Sequence, residues 1–152
     1  MSENYQTEAT RLSLSLEELE NRLQGMPVSD AHKRYEGRDD EPGQGLAIQR
    51  VDSRWVLHHI KWKLEEPDTY EEVDPFSSLR HFGRIARRQR PYLRENRKPL
   101  LSCNIDIKSW AAKHIRDFVE HAMSVHRNRL QRVNDANDVL GDLSWLADGE
   151  GK

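Results

Sequence analysis

Residues 54–66 read RWVLHHIKWKLEE, and the period of this stretch decides the fold class. Val56, His58, Ile60, Trp62 and Leu64 alternate with Leu57, His59, Lys61 and Lys63, the pattern of a half-buried β-strand rather than of a helix. Trp55 falls on the lysine-bearing side. The preceding LAIQRVD is also extended in character, and Asp52-Ser53 between the two predicts a hairpin, although this pair is a weaker turn signal than Asn-Gly.

Downstream, the period changes. Asp74-Pro75 is an N-cap followed by a proline at the first helical position, where its missing N–H costs nothing. From there to Pro91, Phe76, Leu79, Phe82, Ile85 and Ala86 gather on one side of a helix, with Arg80, Arg84, Arg87 and Arg88 on the other. Beyond Pro91 the chain reads as an irregular basic arm. PLLSCNIDI then alternates Leu101, Cys103, Ile105 and Ile107 against polar residues, a third strand candidate. A long helix opened by Asp106 or Ser109 follows, its core stripe set by Ala111, Ile115, Phe118, Ala122, Val125, Leu130 and Val133.

Upstream, GMPVSDAHKRYEGRDDEPGQG offers little to bury. Before it, SLEELENRLQG carries a capping box at Ser15 and Glu18 and sets Leu16, Leu19 and Leu23 on one face. So short a helix is marginal alone and is expected to dock on its own core or on a partner. The organisation expected is a flexible acidic lead-in over 1–45 with a short helix near 15–24, one domain over 46–146, and a disordered tail over 147–152. The class is α+β: a small antiparallel sheet, hairpin plus one further strand, packed by an amphipathic basic helix and a long C-terminal helix.

Composition narrows the function. The chain has 152 residues, 33% charged and 36% hydrophobic, enough for one core. Cys103 is its only cysteine, which excludes an intramolecular disulfide and a Cys-based zinc site. No apolar run approaches a membrane span and MSENYQTEAT has no signal-peptide character, so a cytoplasmic protein is expected. Nucleophile elbows and Gly-rich phosphate loops are absent from the sequence, and no cofactor is implied.

The net charge of −2 hides an ordered alternation. Residues 1–45 carry −5, 46–64 +3, 65–74 −6, 75–98 +7, 99–133 +3 and 134–152 −4. Seven of the eight cations in 80–98 are arginines, whose planar forks suit phosphate oxygens. The candidate nucleic-acid contacts are therefore Arg80, Arg84, Arg87, Arg88, Arg90, Arg94, Arg97 and Lys98, with Tyr92 placed to stack on a base. Arg127, Arg129 and Arg132 would widen the surface.

Two further constellations carry chemistry. His114, Asp117 and His121 share one helix face at a spacing a metal ion tolerates, but the same spacing suits plain side-chain contacts, and no metal is assigned. RDFVEH, Arg116 to His121, resembles over these six residues the motif of HEPN ribonucleases, an Arg and a His separated by four to six residues. That resemblance implies metal-independent RNA cleavage by helical dimers in an all-helical fold, whereas the strand alternation of this chain points elsewhere.

The expected function is a non-enzymatic accessory protein that contacts the phosphate backbone within a larger assembly. Leu16, Leu19 and Leu23, with Leu143, Trp145 and Leu146, are its expected protein-docking residues. The alternative is an adaptor or inhibitor whose arginine face meets an acidic partner, and the HEPN-like ribonuclease is the remote one.

Overall fold

The central hairpin is formed by β2 (Gly43–Val51) and β3 (Arg54–Glu65), which pair antiparallel from Val51↔Arg54 to Gly43↔Trp62. In the computed structural model of the chain, residues 2–65, 91–143 and 146 are described. The two-residue turn between the strands places Asp52 at φ 53° and Ser53 at φ 65°. Both central residues are left-handed, as the natural twist of a two-residue hairpin requires.

The faces of β3 divide less cleanly than the alternation implies. Leu57 is buried with Leu46, Ile48 and the helices, and Trp55 packs against that cluster. Ala47, His58 and Ile60 are nevertheless also buried on the opposite face, while Leu64, of the expected apolar set, is 54% exposed. The centre of the hairpin is enclosed on both sides, and its far end is open.

The sheet runs in the order β1-β2-β3-β4, all antiparallel. Its outer members depart from expectation. β1 (Ala31–Glu36) lies inside the stretch read as a flexible lead-in. It forms because Lys33 and Tyr35 reach Asp117 of the long helix, and because Gly37 adopts φ +83° to start the return loop. At Gly43 a Cβ would stand 1.9 Å from the Glu36 carbonyl oxygen, so only glycine lets the loop close this tightly. β4 (Tyr92–Pro99) replaces the irregular arm expected beyond Pro91 and pairs with β3 from Tyr92↔Glu65 to Pro99↔His58.

PLLSCNIDI is not a strand. Pro99 ends β4, Leu100–Ser102 makes one 3₁₀ turn, and α2 (Ile105–Gly141) begins after Asn104, whose side chain accepts the Ile107 N–H at 2.9 Å. Leu100, Cys103 and Ala111 turn inward, with Ile107 packed against the core, a helical rather than a two-residue rhythm.

The N-terminal helix is longer than the one expected near 15–24. α1 (Ser2–Leu23) runs through Ser15, which is therefore no N-cap. Leu16 and Leu23 are buried in the core and Leu19 packs against it, so these three are unavailable as a partner surface. The end of α1 also completes β3. Pairing with β4 stops at His58, and beyond it Gln24 accepts the Trp55 N–H and donates to the Trp55 carbonyl, both at 2.7 Å. Glu20, buried, accepts the Leu57 N–H at 3.3 Å. Two side chains thus satisfy backbone groups that would otherwise lack a strand partner.

α2 outruns the body. Ala111, Phe118 and Ala122 are buried against α1 and the sheet, but from Arg127 to Asp142 every residue is exposed. At 1.5 Å per residue its 37 residues span about 55 Å, more than the sheet supports. Leu130 and Val133, expected in the core stripe, are 50% and 54% exposed for this reason. An α+β fold with a four-stranded antiparallel sheet and a long second helix stands. The expected basic helix over 75–90, Trp145 and the tail over 147–152 lie outside the described residues.

Candidate nucleic-acid interface

Alternation in β3 and β4 sorts their cations by face. Lys61↔Asn96, Lys63↔Arg94, His59↔Lys98 and Glu65↔Tyr92 share the face on which the helices pack, whereas Ile60↔Arg97 and Trp62↔Glu95 share the other. The helices cover only the Trp55–His59 end of this face. Lys61, Lys63 and Arg94 consequently stand exposed beyond the helical layer, and Lys98, opposite His59 on the outer strand, is exposed beside it. Lys63 and Arg94 are directly opposite, about 5 Å apart at Cβ, Lys61 lies about 7 Å from Lys63 along β3, and Lys98 is diagonal to Lys61, so the four cations form a stripe along the two strands.

Among the described residues, Glu65 is the acid ion-paired at its rim. Glu65 accepts Arg94 Nη1 at 2.9 Å and the Tyr92 hydroxyl at 3.1 Å. The Arg94 hydrogen bond, with the Tyr92 hydroxyl second, holds the Glu65 carboxyl below its ordinary range, and Glu65 in turn raises Arg94. Arg94 is thereby partly neutralised. Among the described residues, Lys61, Lys63 and Lys98 have no carboxylate within ion-pair distance. Tyr92 is 51% exposed beside them.

The sequence-derived set is therefore divided. Arg94, Lys98 and Tyr92 are brought together. Arg97 points to the opposite face, where it donates to Gln49 at 3.0 Å and to Glu95 at 3.3 Å. Arg80, Arg84, Arg87, Arg88 and Arg90 lie outside the described residues. Arg127, Arg129 and Arg132 are on the projecting end of α2. Lys61 and Lys63 are absent from the sequence-derived set, although the alternation already groups them and the +3 charge of 46–64 marks their stretch. On the far face Arg34 is structural: its guanidinium stacks 4.0 Å from the Trp62 ring centroid and donates to the Glu41 carbonyl at 2.8 Å, fastening the β1–β2 loop.

The polar cluster between β1 and α2 is a packing network. Tyr35 donates to Asp117 at 2.6 Å and Lys33 at 2.8 Å to the same oxygen, while His114 stacks on the Tyr35 ring with centroids 4.5 Å apart. Lys33, then Tyr35, holds the Asp117 carboxyl below its usual range, and burial chiefly raises Tyr35. Trp110 Nε1 and Gln44 both donate to Glu36, at 2.8 and 2.7 Å, and Gln44 Oε1 lies 2.8 Å from His59 Nε2. His59 is accordingly the Nε2–H tautomer.

His121 instead tilts against Phe118. His114, Asp117 and His121 do not converge, and among the described residues no group of three or more His, Cys, Asp or Glu is arranged to hold a metal. Arg116 is turned outward toward Glu120 at 3.6 Å. The four-stranded sheet is not the all-helical fold implied by the six-residue HEPN resemblance. Among the described residues no helix is long and apolar enough to cross a membrane. No protein-family model, curated protein or solved structure matches the chain.

Proposed function

We propose that the protein is a non-enzymatic accessory factor that contacts the sugar-phosphate backbone of nucleic acid through the open end of β3 and β4. The observation that carries this reading is the register that sets Lys61, Lys63, Arg94 and Lys98 on one exposed face, where among the described residues Glu65 is the acid ion-paired with them. Lysine is a compact, rotatable point charge, suited to phosphate oxygens in many orientations. Such a face grips without selecting sequence. The β4 edge from Tyr92 to Lys98 spans about 20 Å, room for a few nucleotides of a single strand with one base laid on Tyr92.

The test is titration of a labelled single-stranded oligonucleotide with the full chain and with the triple variant Lys61→Glu/Lys63→Glu/Lys98→Glu. All three side chains are exposed, so the variant should fold. Affinity in low salt is expected to fall by roughly tenfold or more. Equal affinity of variant and parent removes this face from the function. Failure of the parent to bind, combined with binding of an acidic polypeptide that the variant loses, assigns the same face to the adaptor reading.

A further inference from the structure

Lys63, Glu65, Tyr92 and Arg94 stand at the corners of one cross-strand square, Glu65 opposite Tyr92 and Lys63 opposite Arg94, on the face that the helices leave open. Three corners carry hydrogen-bond donors and the fourth carries a carboxylate. Both carboxylate oxygens are engaged, Oε1 by Arg94 Nη1 at 2.9 Å and Oε2 by the Tyr92 hydroxyl at 3.1 Å. Lys63, next to Glu65 on the same face of β3, adds its field to theirs. Donors from two strands thus converge on a single oxyanion.

The same arrangement suits a phosphate. A backbone phosphodiester carries one negative charge, as the carboxylate does, and offers two acceptor oxygens to a guanidinium and a hydroxyl. The Arg94 side chain is 64% exposed, so a ligand reaches it without opening the fold. An ion pair at a surface is held weakly, and one anion can replace the other at small cost.

We infer that Lys63, Arg94 and Tyr92 form a phosphate subsite which the Glu65 carboxylate occupies in the free protein, and that a backbone phosphate of bound nucleic acid displaces it. The inference rests on the nucleic-acid reading above and adds to it a means of setting affinity. While Glu65 competes for Arg94, that cation adds little net charge to the face. Removing the carboxylate, by substitution or by any partner that draws it away, gives the face one more cation.

Titration of a labelled single-stranded oligonucleotide with the full chain, Glu65→Gln, Arg94→Gln and the double variant tests this. Glutamine keeps the shape of Glu65 and an acceptor oxygen, and the cooperative melt of each variant verifies the fold. Glu65→Gln should bind about threefold tighter or more in low salt, with the slope of log affinity against log salt steeper by about 0.7, one further phosphate neutralised. In the Arg94→Gln background the same substitution should bring no gain. Glu18→Gln, which removes an exposed acid of α1, controls for net charge and should bind as the parent does. A parent that binds while Glu65→Gln binds no tighter overturns the inference and leaves the nucleic-acid reading standing. A gain that persists without Arg94, or that Glu18→Gln matches, is a general charge effect and also overturns it. Binding by Glu65→Gln where the parent shows none supports the displacement outright. No binding by either protein overturns the nucleic-acid reading and the subsite with it.

Discussion

His58 and His59 are buried neighbours pointing to opposite faces of β3, and their shared property is a cost of protonation. Burial, assisted by Arg97 at His58 and by Lys61 at His59, lowers both below the ordinary 6.5. In the unfolded chain they titrate near that ordinary value, so below it the unfolded state binds more protons than the folded one. Stability contributed by neutral burial is therefore complete above the unfolded value and is lost as pH falls through it. The denaturation midpoint is expected to drop between about pH 7.5 and 5.5, with a limiting slope of about 1.4 kcal/mol per pH unit for each proton taken up. His59→Gln, which keeps an N–H donor toward Gln44, should flatten that slope; an unchanged slope would mean that His59 is already charged in the fold.

At the scale of elements, what is legible in the sequence depends on how much of each element's partner lies nearby along the chain. The β2–β3 hairpin is local, and its alternation and two-residue turn can be read directly. β1 cannot: His32, Lys33 and Arg34 have no strand character alone, and its stability comes from Tyr35 and Lys33 meeting Asp117 on a helix more than eighty residues away. The stretch from Leu100 to Ile107 shows the opposite error, a short alternation that imitates a strand while its inward residues follow the helical spacing. The patch on β3 and β4 is half legible. Arg94, Lys98 and Tyr92 are visible as a charge run, but their union with Lys61 and Lys63 depends on a cross-strand register that only folding sets. The docking of α1 on β3 is invisible for the same reason. Gln24→Ala leaves the Trp55 N–H and carbonyl without their side-chain partner and should cost about 1 to 2 kcal/mol in denaturant unfolding. No loss of stability would show that water replaces the amide freely and that the other contacts of α1, Glu20 and its buried leucines, suffice to hold it.

Over the whole molecule, a net charge of −2 conceals segments of opposite sign, and the fold gives two of them a place. Lys61, Lys63, Arg94 and Lys98 share one exposed face of β3 and β4, and the basic and acidic halves of the α2 extension follow one another along a single helix. A neutral isoelectric point therefore does not argue against a polyanion ligand, because attraction depends on the local field over a distance of about one Debye length. Neutralised phosphates release condensed counterions, and the slope of log affinity against log salt counts them. The most direct measurement is that slope for single-stranded oligonucleotide binding over roughly 50 to 200 mM salt, in the parent and in Lys61→Glu/Lys63→Glu/Lys98→Glu. A basic sheet face that grips phosphate predicts a steep parental slope, which the variant reduces by about 2, near 0.7 for each phosphate that is no longer neutralised. A parental affinity indifferent to salt, or a slope the same in both proteins, would contradict it.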